Sequence, residues 1–210
     1  LYVGGAIGGL INLISRKPAM KQEAAFVANQ TSLKETDLNF FLSKRNQHIG
    51  YTLFSGYTYQ KEMDINKDGF SDLPLVNSFN IHPRLFFYFK STSITAGYNG
   101  TFEKRNGGDM LVLEGKPQGL HQYFENNLTN RHTGDLNIDQ VVNNHVKLYF
   151  KNSVSWFNDA YKSNSLVYSG EQLNYYSELS TLIKYGNNNS FVGGINVVGN
   201  HLKMTHANRL

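Results

Sequence analysis

A regular alternation of apolar and polar residues is the feature that most restricts how this chain can fold. Between positions 48 and 60, Tyr51, Leu53 and Tyr57 share one parity, while Thr52 and Thr58 share the other. The same period of two recurs in 79–90 and in 94–103. Alternate side chains of a β-strand point to opposite faces of its sheet. We therefore predict an all-β protein whose strands have one apolar and one polar face.

Weaker alternation extends the pattern to about nine strands of roughly 9 to 13 residues. The additional stretches are 24–30, 36–44, 134–142, 146–156, 173–185 and 191–200. A tilted strand of this length crosses the hydrocarbon layer of a membrane. The polar parity, which includes Arg84, Asn99 and Glu103, would suit a hydrated interior.

The predicted connections alternate in length. Short ones fall at 45–47, 90–92, 143–144 and 186–189, and long ones at 61–77, 104–132 and 158–170. The first link, at 32–35, is the exception, because it is short where the scheme requires a long one. Short turns at one end and long loops at the other predict an antiparallel up-and-down meander forming part of a large transmembrane β-barrel.

Composition excludes several other classes. The absence of cysteine excludes a disulfide-stapled scaffold, and 14 Phe and 13 Tyr are more than a disordered chain usually carries. The longest apolar run, 6–14, stops at Ser15, Arg16 and Lys17 and is too short for a transmembrane helix. The 20 Lys and Arg are dispersed among 16 Asp and Glu, so we predict no nucleic-acid partner.

Aromatic residues end two of the predicted strands. Tyr57 and Tyr59 precede the loop that starts at Lys61, and Trp156 and Phe157 precede the third long connection. Such positions suit a ring girdle at a membrane interface. Tyr and Trp are also ordinary strand residues, and both interpretations stay open.

The first 18 residues do not fit the meander. Small residues lead into Gly8 and Gly9, then a short apolar stretch containing Asn12 ends at Arg16 and Lys17. Consecutive glycines permit close backbone approach, and no Lys-Ser or Lys-Thr follows them as a phosphate loop requires. The run closely resembles the segment that ends the plug domain of TonB-dependent outer-membrane receptors, with the plug-end motif at Gly8, Gly9 and Asn12. The resemblance extends over essentially the whole chain, and the loop 64–74 is its second specific motif.

The resemblance implies a domain organisation and a function. Residues 1–18 would be the C-terminal end of the plug domain, and 19–210 the N-terminal portion of a barrel that has 22 strands in this family. The chain would then be an internal piece of a receptor for active uptake of a scarce nutrient across the outer membrane of a Gram-negative bacterium. Its small-molecule ligand would be an iron chelate, haem, cobalamin or a glycan. The energy-transducing TonB complex would bind through the missing N-terminal part.

The loop after the third strand offers the one candidate metal site. Its candidate calcium ligands are Asp64, Asn66, Asp68, Phe70 through its carbonyl, and Asp72. With Gly69 at position six, these fall at positions one, three, five, seven and nine of a calcium-binding loop. Leu75 occupies position twelve, where an EF-hand has a bidentate Glu. A structural calcium and a metal-free, turn-rich loop tip both remain open, and no other cofactor is required.

Catalysis and two further classes complete the predictions. The sequence contains no nucleophile elbow, and its histidines have no metal-ligand spacing, so we predict no catalytic residue and no enzyme. The ligand-binding residues are unknown. One alternative is a passive porin or adhesion barrel, which has no reason to begin with a plug end. The other is a soluble glycan-binding β-sandwich, whose apolar faces would meet a second sheet.

Overall fold

A computed structural model describes residues 15–186 and 189–209 and has one antiparallel sheet. Its strands are β1 (Glu23–Gln30), β2 (Glu35–Arg45), β3 (Ile49–Gln60), β4 (Leu75–Tyr88), β5 (Thr92–Gly108), β6 (Phe124–Val141), β7 (Val146–Ser163), β8 (Leu166–Tyr185) and β9 (Asn189–Arg209). A one-turn helix, α1 (Met110–Leu113), lies between β5 and β6. Each strand pairs with the next in sequence, so the order is β1 to β9. The predicted all-β class and antiparallel meander are confirmed, and the sheet is open.

The extents of the later strands differ from the prediction. Strand length rises from 8 residues in β1 to 21 in β9. The predicted long connection at 158–170 is wrong, because β7 ends at Ser163 and β8 begins at Leu166. The second long loop is 109–123, shorter than the predicted 104–132. Alternation fades after Trp156, whereas ladder hydrogen bonds between main chains continue without it.

Pairing register assigns every strand residue to a face. Directly paired residues share a face of the sheet. One row runs Ile138, Phe150, Leu179 and Ile195, and its neighbouring row runs Asn137, Lys151, Glu178 and Asn196. We call the face with the first row the apolar face and the face with the second row the polar face.

The apolar face is bare in the described part of the chain. Strands make extensive contacts only with their sequence neighbours, so these residues form a single layer. Leu179 is 49% exposed and Ile195 is 73% exposed. Among the described residues, the buried large hydrophobic side chain is Phe86, at 4%, and it lies on the polar face. No helix in the described ranges has the length and apolar character needed to cross a membrane.

Candidate functional site

An ion pair joins β4 and β6 on the polar face. Arg84 Nη2 lies 2.6 Å from Asp135 Oδ2, and Asn137 Nδ2 donates to the same oxygen at 3.2 Å. The pair occupies the space above Gly97 of β5, where an added Cβ would lie 2.3 Å from Asp135 Oδ1 and 2.9 Å from Arg84 Nε. Gly97 therefore leaves room for a charge pair that crosses three strands.

A second polar cluster lies on β7 and β8. Glu178 is 3% exposed and accepts hydrogen bonds from Ser180 Oγ at 2.9 Å, from Lys151 Nζ at 3.3 Å and from the Tyr176 hydroxyl. Lys151 also sits opposite Asn137, which links this cluster to the first. Because each carboxylate has several donors, the polar face carries its charges in hydrogen-bonded groups.

The segment before β1 lies against the polar face, near the short turns. The Arg45 N–H donates to the Ala19 carbonyl at 2.9 Å. Pro18 is buried over Gly50, where an added Cβ would approach the proline Cγ to 2.7 Å. Arg16 Nη2 donates a hydrogen bond to Glu23 Oε1 at 3.2 Å. The Arg16 guanidinium also lies over the ring of Phe41 on the polar face, 5.9 Å from the ring centroid.

An open hollow of about 480 Å³ lies beside this segment on the polar face. Ser15 and Lys17 line it together with Arg84, Asn137 and Lys151. Ser15 and Lys17, in the segment that precedes β1, therefore lie close to both polar clusters. The predicted plug-end residues Gly8, Gly9 and Asn12 lie outside the described residues.

The predicted calcium loop is closed by its own carboxylates. Asp64 Oδ1 accepts the N–H groups of Lys67 at 2.6 Å and of Asp68 at 3.2 Å, and Asp64 Oδ2 accepts that of Gly69 at 2.8 Å. Gly69 has φ +90°, a left-handed conformation that glycine adopts without a steric penalty. The spacing that predicted ligands is therefore also the spacing of a tight polar turn.

The remaining predicted ligands take part in the same bonding. Asp72 Oδ2 accepts the N–H groups of Ile65 at 2.7 Å and Asn66 at 3.1 Å, and Asp68 Oδ1 accepts that of Phe70 at 2.9 Å. Within 15–186 and 189–209, no group of three or more His, Cys, Asp or Glu residues is arranged to hold a metal. Calcium binding stays a prediction.

The two long loops pack against each other. The Ser71 N–H donates to the Gly108 carbonyl and the Met110 N–H to the Gly69 carbonyl, both at 2.9 Å. Asp109, 2% exposed, accepts the Leu111 N–H at 2.9 Å. A ligand or ion that orders one loop would therefore also act on the other.

Two further side chains belong to this loop surface. His121 Nδ1 lies 2.7 Å from Asp109 Oδ2. The hydrogen bond from the Tyr123 hydroxyl to Glu125 raises the pKa of that tyrosine to about 12. The phenol therefore stays protonated throughout the physiological pH range.

A row of rings crosses the apolar face of β5, β6 and β7. His132 Nδ1 lies 2.8 Å from the Tyr98 hydroxyl, and its ring centroid lies 5.3 Å from that of Phe102 and 5.4 Å from that of Trp156. We call these four residues the ring row. The prediction that His132 lies in a loop is wrong, because it pairs with Gly100 inside the sheet.

The predicted aromatic strand ends are correct only in part. Tyr57 and Tyr59 close β3, whereas Trp156 and Phe157 are internal to β7. Trp156 is on the apolar face, and Phe157 is on the polar face under the Arg131 guanidinium at 4.6 Å. A membrane girdle stays a prediction.

Sequence reasoning missed Asp135, Lys151 and Glu178. Parity indicates their face, but pairing Arg84 with a residue 51 positions away requires the register of two intervening hairpins. Comparisons with protein-family models, curated proteins and solved structures find no match to this chain.

Proposed function

We propose that this chain is the end of the plug and the first part of the barrel of a TonB-dependent receptor, which takes up a scarce nutrient across a bacterial outer membrane. The observation that carries the proposal is the division of one meander sheet into a bare apolar face and a hydrogen-bonded polar face. In the proposed orientation the apolar face contacts lipid and the polar face lines the interior.

The dimensions of the apolar face support a membrane location. On β7 the apolar stretch runs from Leu148 to Trp156, and on β8 from Leu173 to Ile183. Each stretch is about nine to eleven residues, the length of a tilted transmembrane strand. Asn158 and Lys162 then follow on the same face of β7. The strands therefore continue beyond the apolar stretch with a polar surface.

The path of the segment before β1, residues 15–19, favours a plugged receptor over a passive porin. Ser15 to Ala19 reach β1 along the polar face, which is the inner face of the proposed barrel. A plug end must follow this path to leave the interior, whereas an empty porin has no use for it. In the proposal the long loops capture the ligand, and the chain provides wall, loops and plug tether.

Cysteine labelling of adjacent residues tests the lipid-facing assignment. This sequence has no cysteine, so Val154→Cys and Ser155→Cys each introduce one thiol here, on opposite faces of β7. In the complete receptor in vesicles, with any other cysteines replaced, we expect a charged maleimide to label Ser155→Cys and to spare Val154→Cys. A lipid-soluble quencher should reach only position 154. A protein that dissolves in water without detergent, and in which the lipid-soluble quencher reaches neither position, would indicate the soluble sandwich, because its apolar face is covered by a second sheet.

Energy dependence separates the receptor from a porin. The complete protein should support uptake of its nutrient only in cells with an intact proton gradient and TonB complex. Uptake that persists after the gradient is collapsed would contradict active transport and leave the passive barrel.

A further inference from the structure

One polar pair interrupts the apolar stretch of β7 and β8. Asn152 of β7 lies directly opposite Ser177 of β8, and the same row continues to Leu136 and Val197. Along β7, Asn152 is the middle residue of the apolar stretch 148–156. A primary amide and a hydroxyl therefore lie at the centre of the face that contacts lipid in the proposed function.

The side chains of this pair have unused hydrogen-bonding capacity. The Thr181 hydroxyl, on the same face of β8, donates to the Lys147 carbonyl at 3.2 Å. No such bond joins the side chain of Asn152 or of Ser177 to any other group in the described part of the chain. An asparagine amide has two N–H donors, and a neighbouring serine hydroxyl can accept only one of them. At least one amide N–H of Asn152 therefore lacks an acceptor.

Lipid cannot supply the missing acceptor. The apolar band of a membrane barrel is about 25 Å tall, so its centre lies about 12 Å from the water on either side. Hydrocarbon chains have no hydrogen-bonding group, and a polar group left unpaired among them is unfavourable. In membrane proteins, polar side chains at this depth bond across to another protein segment. The amide of Asn152 therefore calls for a protein partner on the apolar face.

The surface beside Asn152 leaves room for such a partner. Gly134 of β6 lies diagonally next to it, because Gly134 pairs with Val154, two residues further along β7. A Cβ added at Gly134 would meet nothing within 4 Å. On the other side, Ser177 is the smallest residue on the apolar face of β8 between Leu173 and Ile183. The amide is therefore flanked by small residues on both neighbouring strands.

The chemistry of the amide favours a second copy of the same chain. An asparagine side chain is complementary to itself, since it carries an N–H donor and a carbonyl acceptor side by side. Two such amides related by a two-fold axis can exchange a reciprocal pair of hydrogen bonds, and this symmetry is the commonest among homo-oligomers. With the axis along the membrane normal, both amides lie at the same depth. A different partner would have to carry a polar group at that depth independently.

We infer that Asn152 joins two copies of this receptor, at the centre of a two-fold contact between the apolar faces of β7 and β8. The inference rests on the proposed function, because it requires that this face lies in the membrane. Within the contact, the amides of the two copies bond each other, and each Ser177 hydroxyl accepts an amide N–H that remains.

Energy transfer between fluorescently labelled copies of the complete receptor tests the contact. Measured in vesicles over a range of protein-to-lipid ratios, it gives the Kd of the dimer. We expect Asn152→Leu to raise this Kd roughly tenfold, the equivalent of about 1.4 kcal/mol for a reciprocal pair of hydrogen bonds. The control Thr181→Val removes a hydroxyl from the same face that is already bonded to the main chain, and it should leave the Kd unchanged.

Disulfide trapping locates the axis. This sequence has no cysteine, so Asn152→Cys introduces one thiol here, and any other cysteines of the complete receptor would be replaced. Because position 152 lies at the axis, two copies of Asn152→Cys should form a disulfide. Val197→Cys, two strands away in the same row, is the matched control. At about 4.8 Å per strand its thiol would lie about 20 Å from its own copy, beyond the reach of a disulfide.

Each other result has a distinct meaning. Monomers at every protein-to-lipid ratio, in a receptor that still takes up its nutrient, would overturn the dimer and leave the proposed function intact. Equal Kd values for wild type and Asn152→Leu, or a disulfide from Val197→Cys alone, would contradict a contact centred on Asn152. A cross-link from Asn152→Cys to a different polypeptide in cell membranes would also contradict the second copy. Failure of the wild-type receptor to enter vesicles would overturn the proposed function and the dimer together.

Discussion

The two faces of the sheet differ in which side chains they bury and which they expose. On the polar face, charges such as Arg84 and Glu178 are half-buried or buried and hydrogen-bonded in groups. On the apolar face, large side chains such as Leu179 and Ile195 are left uncovered by the described residues. A water-soluble protein buries the second kind of face and exposes the first. In the proposed function the two sides of this sheet therefore contact different surroundings, lipid on the apolar face and water on the polar face.

The largest expected effect comes from placing a charge on each face in turn. Leu179→Arg sets a guanidinium near the middle of the apolar stretch of β8, whereas Asn196→Arg sets one beside Glu178 on the polar face. An arginine at the centre of a lipid-facing strand costs about 2–4 kcal/mol. We expect Leu179→Arg to lower the free energy of unfolding in lipid by that amount and Asn196→Arg to leave it nearly unchanged.

Denaturant titration of the complete protein in vesicles would measure the loss of stability in both variants. Comparable losses for both would contradict the assignment of the faces, because a hydrated interior accommodates an arginine at little cost. A larger loss for Asn196→Arg would reverse the assignment.

An effect of intermediate size is expected at Gly97, because the lack of a side chain there leaves room for the ion pair on the polar face. Gly97→Ala would force apart Arg84 and Asp135, since the new Cβ overlaps both. Loss of a charge-assisted bond of this kind costs about 1–3 kcal/mol. Gly134→Ala on the next strand is the control, because an added Cβ there has open space on the apolar face. The midpoint of thermal unfolding should fall for Gly97→Ala alone, and an equal fall for both would indicate a general intolerance of alanine.

The smallest effect is expected in the loop after β3, which lies outside both faces of the sheet. If the loop binds calcium, an incomplete ligand set gives an affinity on the order of 10⁻⁴ to 10⁻³ M. Calorimetric titration of the complete protein, folded in detergent, should then show heat that Asp68→Ala abolishes and that Glu62→Ala, outside the candidate set, retains. Equal heats from wild type and Asp68→Ala would remove the metal and leave a turn closed by its own carboxylates.

Period-two patterning located every strand, yet it could not show where the later strands end. Up to Trp156 the two parities differ in polarity, because one side is bare and apolar and the other is hydrogen-bonded. Beyond Trp156, the positions of β7 on the apolar face include the polar residues Asn158 and Lys162. The alternation therefore weakens, although the main-chain hydrogen bonds of the strand continue to Ser163. The ends of these strands were therefore predicted wrongly, because the alternation disappears where the apolar face becomes polar.

The site was less predictable than the fold. The loop carboxylates were found because their spacing is local, whereas the partners of Arg84 and Lys151 depend on register between strands far apart in sequence. The same local spacing serves a calcium loop and a metal-free turn, so sequence left that choice open. Long-range pairing and local ambiguity are therefore the two reasons why residues such as Asp135 and Asp64 could not be assigned.

The steady lengthening of the strands gives the sheet the outline of a ramp. Thirteen more residues in β9 than in β1 (21 − 8 = 13) correspond to about 43 Å of extra strand length at about 3.3 Å per residue. Relative to the row of paired residues that joins Ala28 to Lys203, nine of these extra residues (14 − 5 = 9) lie on the side of the short turns and four (6 − 2 = 4) on the side of the long loops. The sheet is therefore staggered from strand to strand, and closing a staggered sheet into a barrel requires its strands to tilt against the barrel axis.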